Sequence, residues 1–508
     1  MNEQDLLDRE AGDLPGHISR CAALKPTRMA LVSDHGSLTY EQLDAVMDRV
    51  AAALERDGVS QGDSIAICAV NSIDIVAVYL GALRAGVVVA PLPISLAADA
   101  LWRMLDDCGA RLVFLDADAS TVLGEAPGGA SRRIIALDEL EAWLAPEGAV
   151  PTPVEIAPEH PCNIIYSSGT TGSPKGVVQS HAMRWTHVRL GQILGGPSTM
   201  MVSTPLYSTG GSVSLIMTLG SCGTTVIMRR FDPARFLEQA QANRATHATL
   251  VPVQYRRILD LPQFDRFDLS SFRATFSIAA PSTVELKSEI LARWPGELIE
   301  FYAMTEGGGA TVLRARQRPD KLHTVGRAGP NTEVRIIGED GAEVPVGAVG
   351  EVVGRSGTMM SAYHNLPAET AAAEWRDREG VRFIRSGDVG SLDEEGFLSI
   401  LGRKKDMIIS GGFNVYPIDL EAVLLRHDQV QDAAVIGAPS ERWGETPVAF
   451  VVSKPGTKID VGELLDWANV RLGKAQRISE VRMLPELPYN PVGKVLKREL
   501  REHYHLKQ

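Results

Sequence analysis

"YSSGTTGSPKG", residues 166–176, interleaves hydroxyl residues with three glycines and ends in a proline, a lysine and the last of those glycines. The apolar run that leads into it, "NIIYS" at residues 163–167, reads as a buried strand, and a helix is expected after the glycines. Glycine lets backbone N–H groups converge on an anion, hydroxyls add donors, and Lys175 adds positive charge, so the stretch suits a polyphosphate. It departs from the common phosphate loop, G-x-x-x-x-G-K-[ST], because Gly169 is followed by Gly172 and a Pro-Lys pair. Taken alone, it reads equally well as a polar connection that holds nothing.

Strand and helix signals alternate on both sides of this stretch. "LTYEQLDAVMDRVAAALERDG", residues 38–58, opens with Thr39 three places before Gln42 and sets Leu43, Val46, Met47, Val50 and Leu54 on one helical face. Short apolar runs follow at residues 64–70, 86–92, 110–116 and 132–138, and the same texture resumes at 224–230, 248–253 and 274–281. That alternation predicts an α/β fold: a large N-terminal domain of mixed, largely parallel sheets flanked by helices. From Val325 the texture changes to short β runs punctuated by Gly and Pro, which predicts a small β region. After "GRKKD", residues 402–406, a shorter mixed pattern predicts a small, mobile α+β C-terminal domain. The expected division is 1–402 and 403–508, with a hinge near Lys405.

The chain has 508 residues, enough for more than one core, and 44% of them are hydrophobic. A net charge of -12 argues against nucleic-acid partners. The acidic start lacks a signal peptide's basic and apolar segments, and the best apolar run is broken by Asp74 and Arg84, so a cytoplasmic protein without stable membrane association is expected. Five scattered cysteines, with no metal-binding spacing, read as buried thiols.

Four ordered segments carry a stronger signal: "YSSGTTGSPKG", "FYAMTEGG" from Phe301, "RSGDVGSLDEEGFLSILGRKKDMIISGGFNVYP" from Arg385, and "NPVGKVLK" from Asn490. Together they resemble the adenylate-forming superfamily of acyl-CoA synthetases, aryl-CoA ligases, luciferases and peptide-synthetase adenylation domains, and most resemble its AMP-forming carboxylate:CoA ligases. The resemblance implies ATP, Mg2+ and CoA as cofactors and a small carboxylic acid as partner; a homodimer is left open.

What the resemblance implies for individual residues is specific. Ser167, Ser168, Gly169, Thr170, Thr171, Gly172 and Lys175 would cradle the outer phosphates of ATP. Ala279, Ala280 and Pro281 would pass along the adenine edge, where the family usually carries glycine, and Tyr302 would lie against the ring. Asp388 would accept from the ribose hydroxyls, with Arg403 as a second contact. Thr305 would meet the α-phosphate and Glu306 would hold Mg2+, a hard cation suited to carboxylate oxygen. Lys494 would bridge the carboxylate and the α-phosphate during adenylation. The small domain would then rotate about Lys405 and present Gly411 and Gly412 to a thiol tunnel.

The acyl side departs from the family pattern. Phe301 and Ala303 stand where a glycine-rich strand is usual, which leans towards small, medium-chain or aryl acids. Ser208 replaces a frequent histidine and leaves Tyr207 as the gate aromatic, while His181 would line the acyl side. Arg184, one turn later, is either a solvated helix residue or a partner for a second carboxylate. Phe413 occupies a position where an acidic residue is common. The expected activity is AMP-forming acyl-CoA synthesis, with a stand-alone enzyme that loads a carrier protein as the alternative. A non-catalytic nucleotide sensor is disfavoured, since Lys494, Glu306 and the phosphate loop are all retained.

Overall fold

The structure, a computed structural model, describes residues 12–124, 132–167 and 174–506. Ser168, Gly169, Thr170, Thr171 and Gly172 lie outside the described residues. Helix Tyr40–Arg56 begins as the sequence predicts: the Thr39 hydroxyl accepts from the Gln42 amide at 3.2 Å, and the Gln42 side chain accepts from the Thr39 N–H at 2.9 Å. Strands such as Ser64–Cys68 and Val88–Leu92 are buried on both faces, which explains their unbroken apolar runs.

Among the described residues the strands form four sheets. A seven-stranded sheet has Val88–Leu92 and Ser64–Cys68 at its centre, and a nine-stranded sheet runs through Ala274–Ser277, His247–Leu250 and Thr199–Val202. Both are parallel at their centres and antiparallel towards an edge. The largest core lies between them and is filled by helices Leu14–Leu24, Tyr40–Arg56, Ile73–Arg84 and Thr209–Gly220. Two further cores cover the outer faces. Helix Ile73–Arg84 is apolar almost all round because a sheet or helix meets nearly every side of it.

Strand Pro161–Ser167 turns back as the antiparallel strand Lys175–Ser180, and only then does helix His181–Arg189 begin. The hydroxyl and glycine stretch therefore joins two strands instead of a strand and a helix. A third, antiparallel sheet contains Glu333–Ile337, Gly350–Arg355, Arg382–Leu392 and Leu398–Arg403. The fourth begins at Ile408–Ser410, so sheet membership changes between Arg403 and Ile408.

The cysteine reading is corrected in one respect. Cys21 and Cys222 form a disulfide across 201 residues of chain, while Cys68, Cys108 and Cys162 are buried thiols. Scattered spacing could not reveal the pair, because it joins the first helix to the residue just beyond helix Thr209–Gly220. Among the described residues no helix is long and apolar enough to cross a membrane.

Candidate active site

Parallel strands deliver their C-terminal ends to one edge, and the loops beyond them line a common cleft. Strand Glu297–Tyr302 pairs in parallel with Ala274–Ser277, and alternation along it sends consecutive rings to opposite faces. Phe301 packs on the large core beside Phe276, ring centres 5.7 Å apart. Tyr302 packs on the small sheet with Ile336, Val352 and Leu398. Its hydroxyl donates to Asp388 Oδ2 at 2.7 Å.

Asp388 and Arg403 sit opposite each other on adjacent strands, and Arg403 Nε meets Asp388 Oδ1 at 2.6 Å. Asp388 is 7% exposed, yet two carboxylate oxygens offer about four acceptor positions, so capacity remains for a diol. Burial, and next the Asp388 charge, hold the Tyr302 phenol far above its usual range, so it stays a neutral donor.

Beyond Tyr302 the chain turns sharply. Gly307 has φ +72°, and a Cβ there would lie 1.5 Å from the Thr358 carbonyl oxygen, so only glycine fits. The turn exposes Thr305 and Glu306 to the cleft. Thr305 Oγ1 lies 3.1 Å from Thr209 Oγ1 and its carbonyl accepts from Gln179 at 2.9 Å. Glu306 Oε1 accepts from the Tyr363 hydroxyl at 2.9 Å and lies 3.4 Å from Ser167 Oγ. Lys175 Nζ stands 5.0 Å from the centre of the Tyr363 ring. Glu306 has no ion pair among the described residues; a free carboxylate flanked by hydroxyls is a donor set that fits Mg2+. Tyr363 was not anticipated, since the short "SAYHN" segment carries no composition signal.

Lys494 reaches the cleft from the fourth sheet's side, on a tight turn before helix Lys497–His505 and not at that helix's first position. Asn490 builds the turn: its Oδ1 accepts from the N–H of Val492 at 3.1 Å and of Lys494 at 2.8 Å. Tyr489 anchors the base by donating to Asp432. Gly493, at φ +77°, brings the backbone against the large domain, where a Cβ would meet Val251 Cγ2 at 2.7 Å. The Lys494 side chain keeps solvent contact within the cleft. Crowding by the cleft walls, then the Arg403 charge, lower its ammonium to about 8.

Lys405 is exposed on the short connection between the third and fourth sheets and also lines the cleft. Gly411 and Gly412 form the exposed tip of the hairpin Ile408–Ser410 and Phe413–Val415 and do not line the cleft. Phe413 beside them is 65% exposed, and nothing in the structure explains its side chain.

Ala279, Ala280 and Pro281, expected along the adenine edge, and Phe301, Ala303, Tyr207 and Ser208, expected on the acyl side, all line the cleft. Ala279 adopts φ +70°, a strained value for a residue with a Cβ. Ser208 caps helix Thr209–Gly220, its Oγ accepting from the Gly211 amide at 3.2 Å, which accounts for a small hydroxyl residue there. His181 does not line the cleft: it is buried beside His160 at the opposite end of its helix. His187, two turns on and unmarked by any motif, lines the cleft in its place. Arg184 is 1% exposed, so the solvated alternative is excluded.

The cleft has a volume of about 2930 Å3, well above the roughly 300–1,000 Å3 of a single-ligand site, and admits more than one substrate at once. The AMP-binding enzyme family model matches residues 18–364, and the AMP-binding enzyme C-terminal domain model matches residues 419–494. The chain is 32% identical over 502 residues to the fatty acid--[acyl-carrier-protein] ligase ScoC of Streptomyces coeruleorubidus, covering 94% of each. It is 32% identical over 512 residues to the indoleacetate--CoA ligase of Aromatoleum aromaticum, covering 96% of this chain and 98% of that one. Among solved structures it is similar to ATP-bound MatB from Rhodopseudomonas palustris, with a TM-score of 0.87 and 28% identity over 97% of this chain and 99% of that one.

Proposed function

The chain belongs to the AMP-binding enzyme family and is an AMP-forming ligase, and from that premise we propose that it activates a small, medium-chain or aryl carboxylic acid with Mg-ATP and transfers the acyl group to the thiol of CoA. The observation that carries the reading is the convergence on one cleft of three sets of groups: the Tyr302, Asp388 and Arg403 cluster, the Thr305 and Glu306 turn, and the Lys494 hairpin.

In the first step a carboxylate oxygen bonds to the α-phosphorus, the bond to the β-phosphate oxygen breaks, and pyrophosphate leaves. The obstacle is bringing an anion to a polyanion, so fixed charge and donors are what a protein must supply. Lys494 places an ammonium between the two, Thr305 offers its hydroxyl to the α-phosphate, and Asp388 holds the ribose. Glu306 would hold Mg2+, which would supply charge neutralisation to the phosphates when bound. In the second step the thiol sulfur bonds to the acyl carbon, AMP departs with the electron pair of its oxygen, and the thiol proton passes to solvent. Lys494 has no part in that step, which fits rotation of the small domain about Lys405 and presentation of Gly411 and Gly412 to the thiol.

Phe301 and Ala303 on the acyl wall favour a short or flat acid. ScoC acts on an acyl-carrier-protein, so a protein-bound thiol is the second reading of the acceptor. The test is carboxylate-dependent pyrophosphate release from Mg-ATP across short, medium, aryl and dicarboxylic acids, with CoA present or absent. Turnover that requires CoA is the expected result. A single burst that CoA does not convert to turnover would move the acceptor to a carrier protein, and no release with any acid would overturn the reading.

A further inference from the structure

Arg184 is 1% exposed and makes no ion pair among the described residues. A buried charge without a counter-ion is strongly unfavourable, so its neutral partners matter. Its guanidinium donates to Asn163 Oδ1 at 2.8 Å and to Ser212 Oγ at 3.4 Å, and its third nitrogen faces His187 Nδ1 at 3.5 Å. Arginine carries donors only, so the imidazole nitrogen that faces it is the one without a proton. The His187 proton therefore sits on Nε2.

His187 is 5% exposed, and its ring has no other hydrogen-bond partner among the described residues. His187 lines the cleft, as do Met183 and Leu190 of the same helical segment. Burial, and next the Arg184 charge, lower the imidazole to about 3, which keeps the ring a neutral N–H donor at working pH. A buried donor aimed at a substrate cavity without a partner rejects an apolar chain that ends against it.

We propose that His187 Nε2–H is a subsite for an oxygen acceptor carried by the acyl substrate away from its reacting carboxyl, and that the preferred acceptor is a second carboxylate. This rests on the acid-activating reading of the cleft. The carboxylate is favoured over a neutral oxygen because the guanidinium behind the ring has no counter-ion to cancel its field. A relay of hydrogen bonds connects the subsite to the phosphate end. Ser212, which accepts from Arg184, donates to the Thr209 carbonyl at 3.1 Å, and Thr209 touches Thr305.

The test has two arms. In the first, ATP–pyrophosphate exchange compares short dicarboxylic acids with monocarboxylic acids of equal length. The expected result is a diacid preference of at least about 10-fold in kcat/KM. His187→Phe should collapse that ratio, and His187→Gln, which keeps a donor near the Nε2 position, should retain most of it. The second arm reads 15N shifts of His187 without ATP. Nε2 should be protonated and Nδ1 bare from pH 8 to pH 5, and the diacid should move the Nε2–H signal where the monoacid does not. Arg184→Met should let both tautomers populate, which marks Arg184 as a positioning residue. A ring that titrates in that range, a bare Nε2, or a wild-type ratio near one would overturn the proposal. If no acid supports exchange but the diacid still moves the His187 signal, the subsite stands and the ligase reading falls.

Discussion

The nucleotide end of the cleft and its acyl end are built by opposite means. At the nucleotide end, charged groups lie at the mouth and neutralise one another directly: Arg403 on Asp388, with Tyr302 as a third partner. Their strands belong to two sheets, the nine-stranded one and the third, and a further cation, Lys494, arrives on a turn of the small domain. At the acyl end helix His181–Arg189 brings the neutral His187 to the wall beside the strand that carries Phe301, and Arg184 is sealed behind it. The difference teaches that the first end is arranged to manage charge that develops in a reaction, while the second is arranged to sort shapes and acceptors.

Lys494→Ala should break the contrast most severely. Adenylation is expected to fall by about 100- to 1,000-fold, with thioester formation from supplied acyl-adenylate changed only a few-fold. Equal loss in both half-reactions, measured by pyrophosphate release and by thioester yield, would remove Lys494 from the first step. Asp388→Asn should come next: it weakens acceptance from Arg403 and Tyr302 and should raise the KM for ATP about 10- to 100-fold. Relative kcat/KM values across a set of acids should stay unchanged in that variant. A shift in acid preference would show that the two ends are not separable.

A pH profile sharpens the nucleotide side further. The Lys494 ammonium, lowered to about 8, is fully charged below that value and loses its charge as pH rises through it. kcat/KM for adenylation should therefore be flat below about 8 and decline above it, and Lys494→Arg, which stays charged, should remove the decline. An unaltered alkaline limb in that variant assigns the limb to another group. The smallest effect is expected at Ala279, whose left-handed backbone is strained. Ala279→Gly should raise stability to denaturant by no more than about 1 kcal/mol, and a loss of stability would contradict the strain.

Legibility in the sequence followed the same division. Asp388, Arg403, Thr305, Glu306 and Lys494 were nominated because each sits in a contiguous run that carries the family resemblance, and the structure brings all five to one cleft. His181 was named because the resemblance retains it, and a helix gives no sign that a histidine six residues on lines a cavity instead. Ser208 looked like a missing gate residue until the helix it caps was visible. Tyr363 escaped because its partners, Glu306 and Lys175, are distant in the chain.

By itself the sequence determined the α/β class and the small terminal unit, and nominated residues for a nucleotide site, since those depend on local periodicity and on short contiguous motifs. Only the tertiary structure decided that Cys21 meets Cys222, that Arg184 is sealed with no ion pair among the described residues, and that His187 lines the cleft. These depend on which face of one helix packs against another, and residues spaced alike along a helix carry no mark of the neighbour that will cover them.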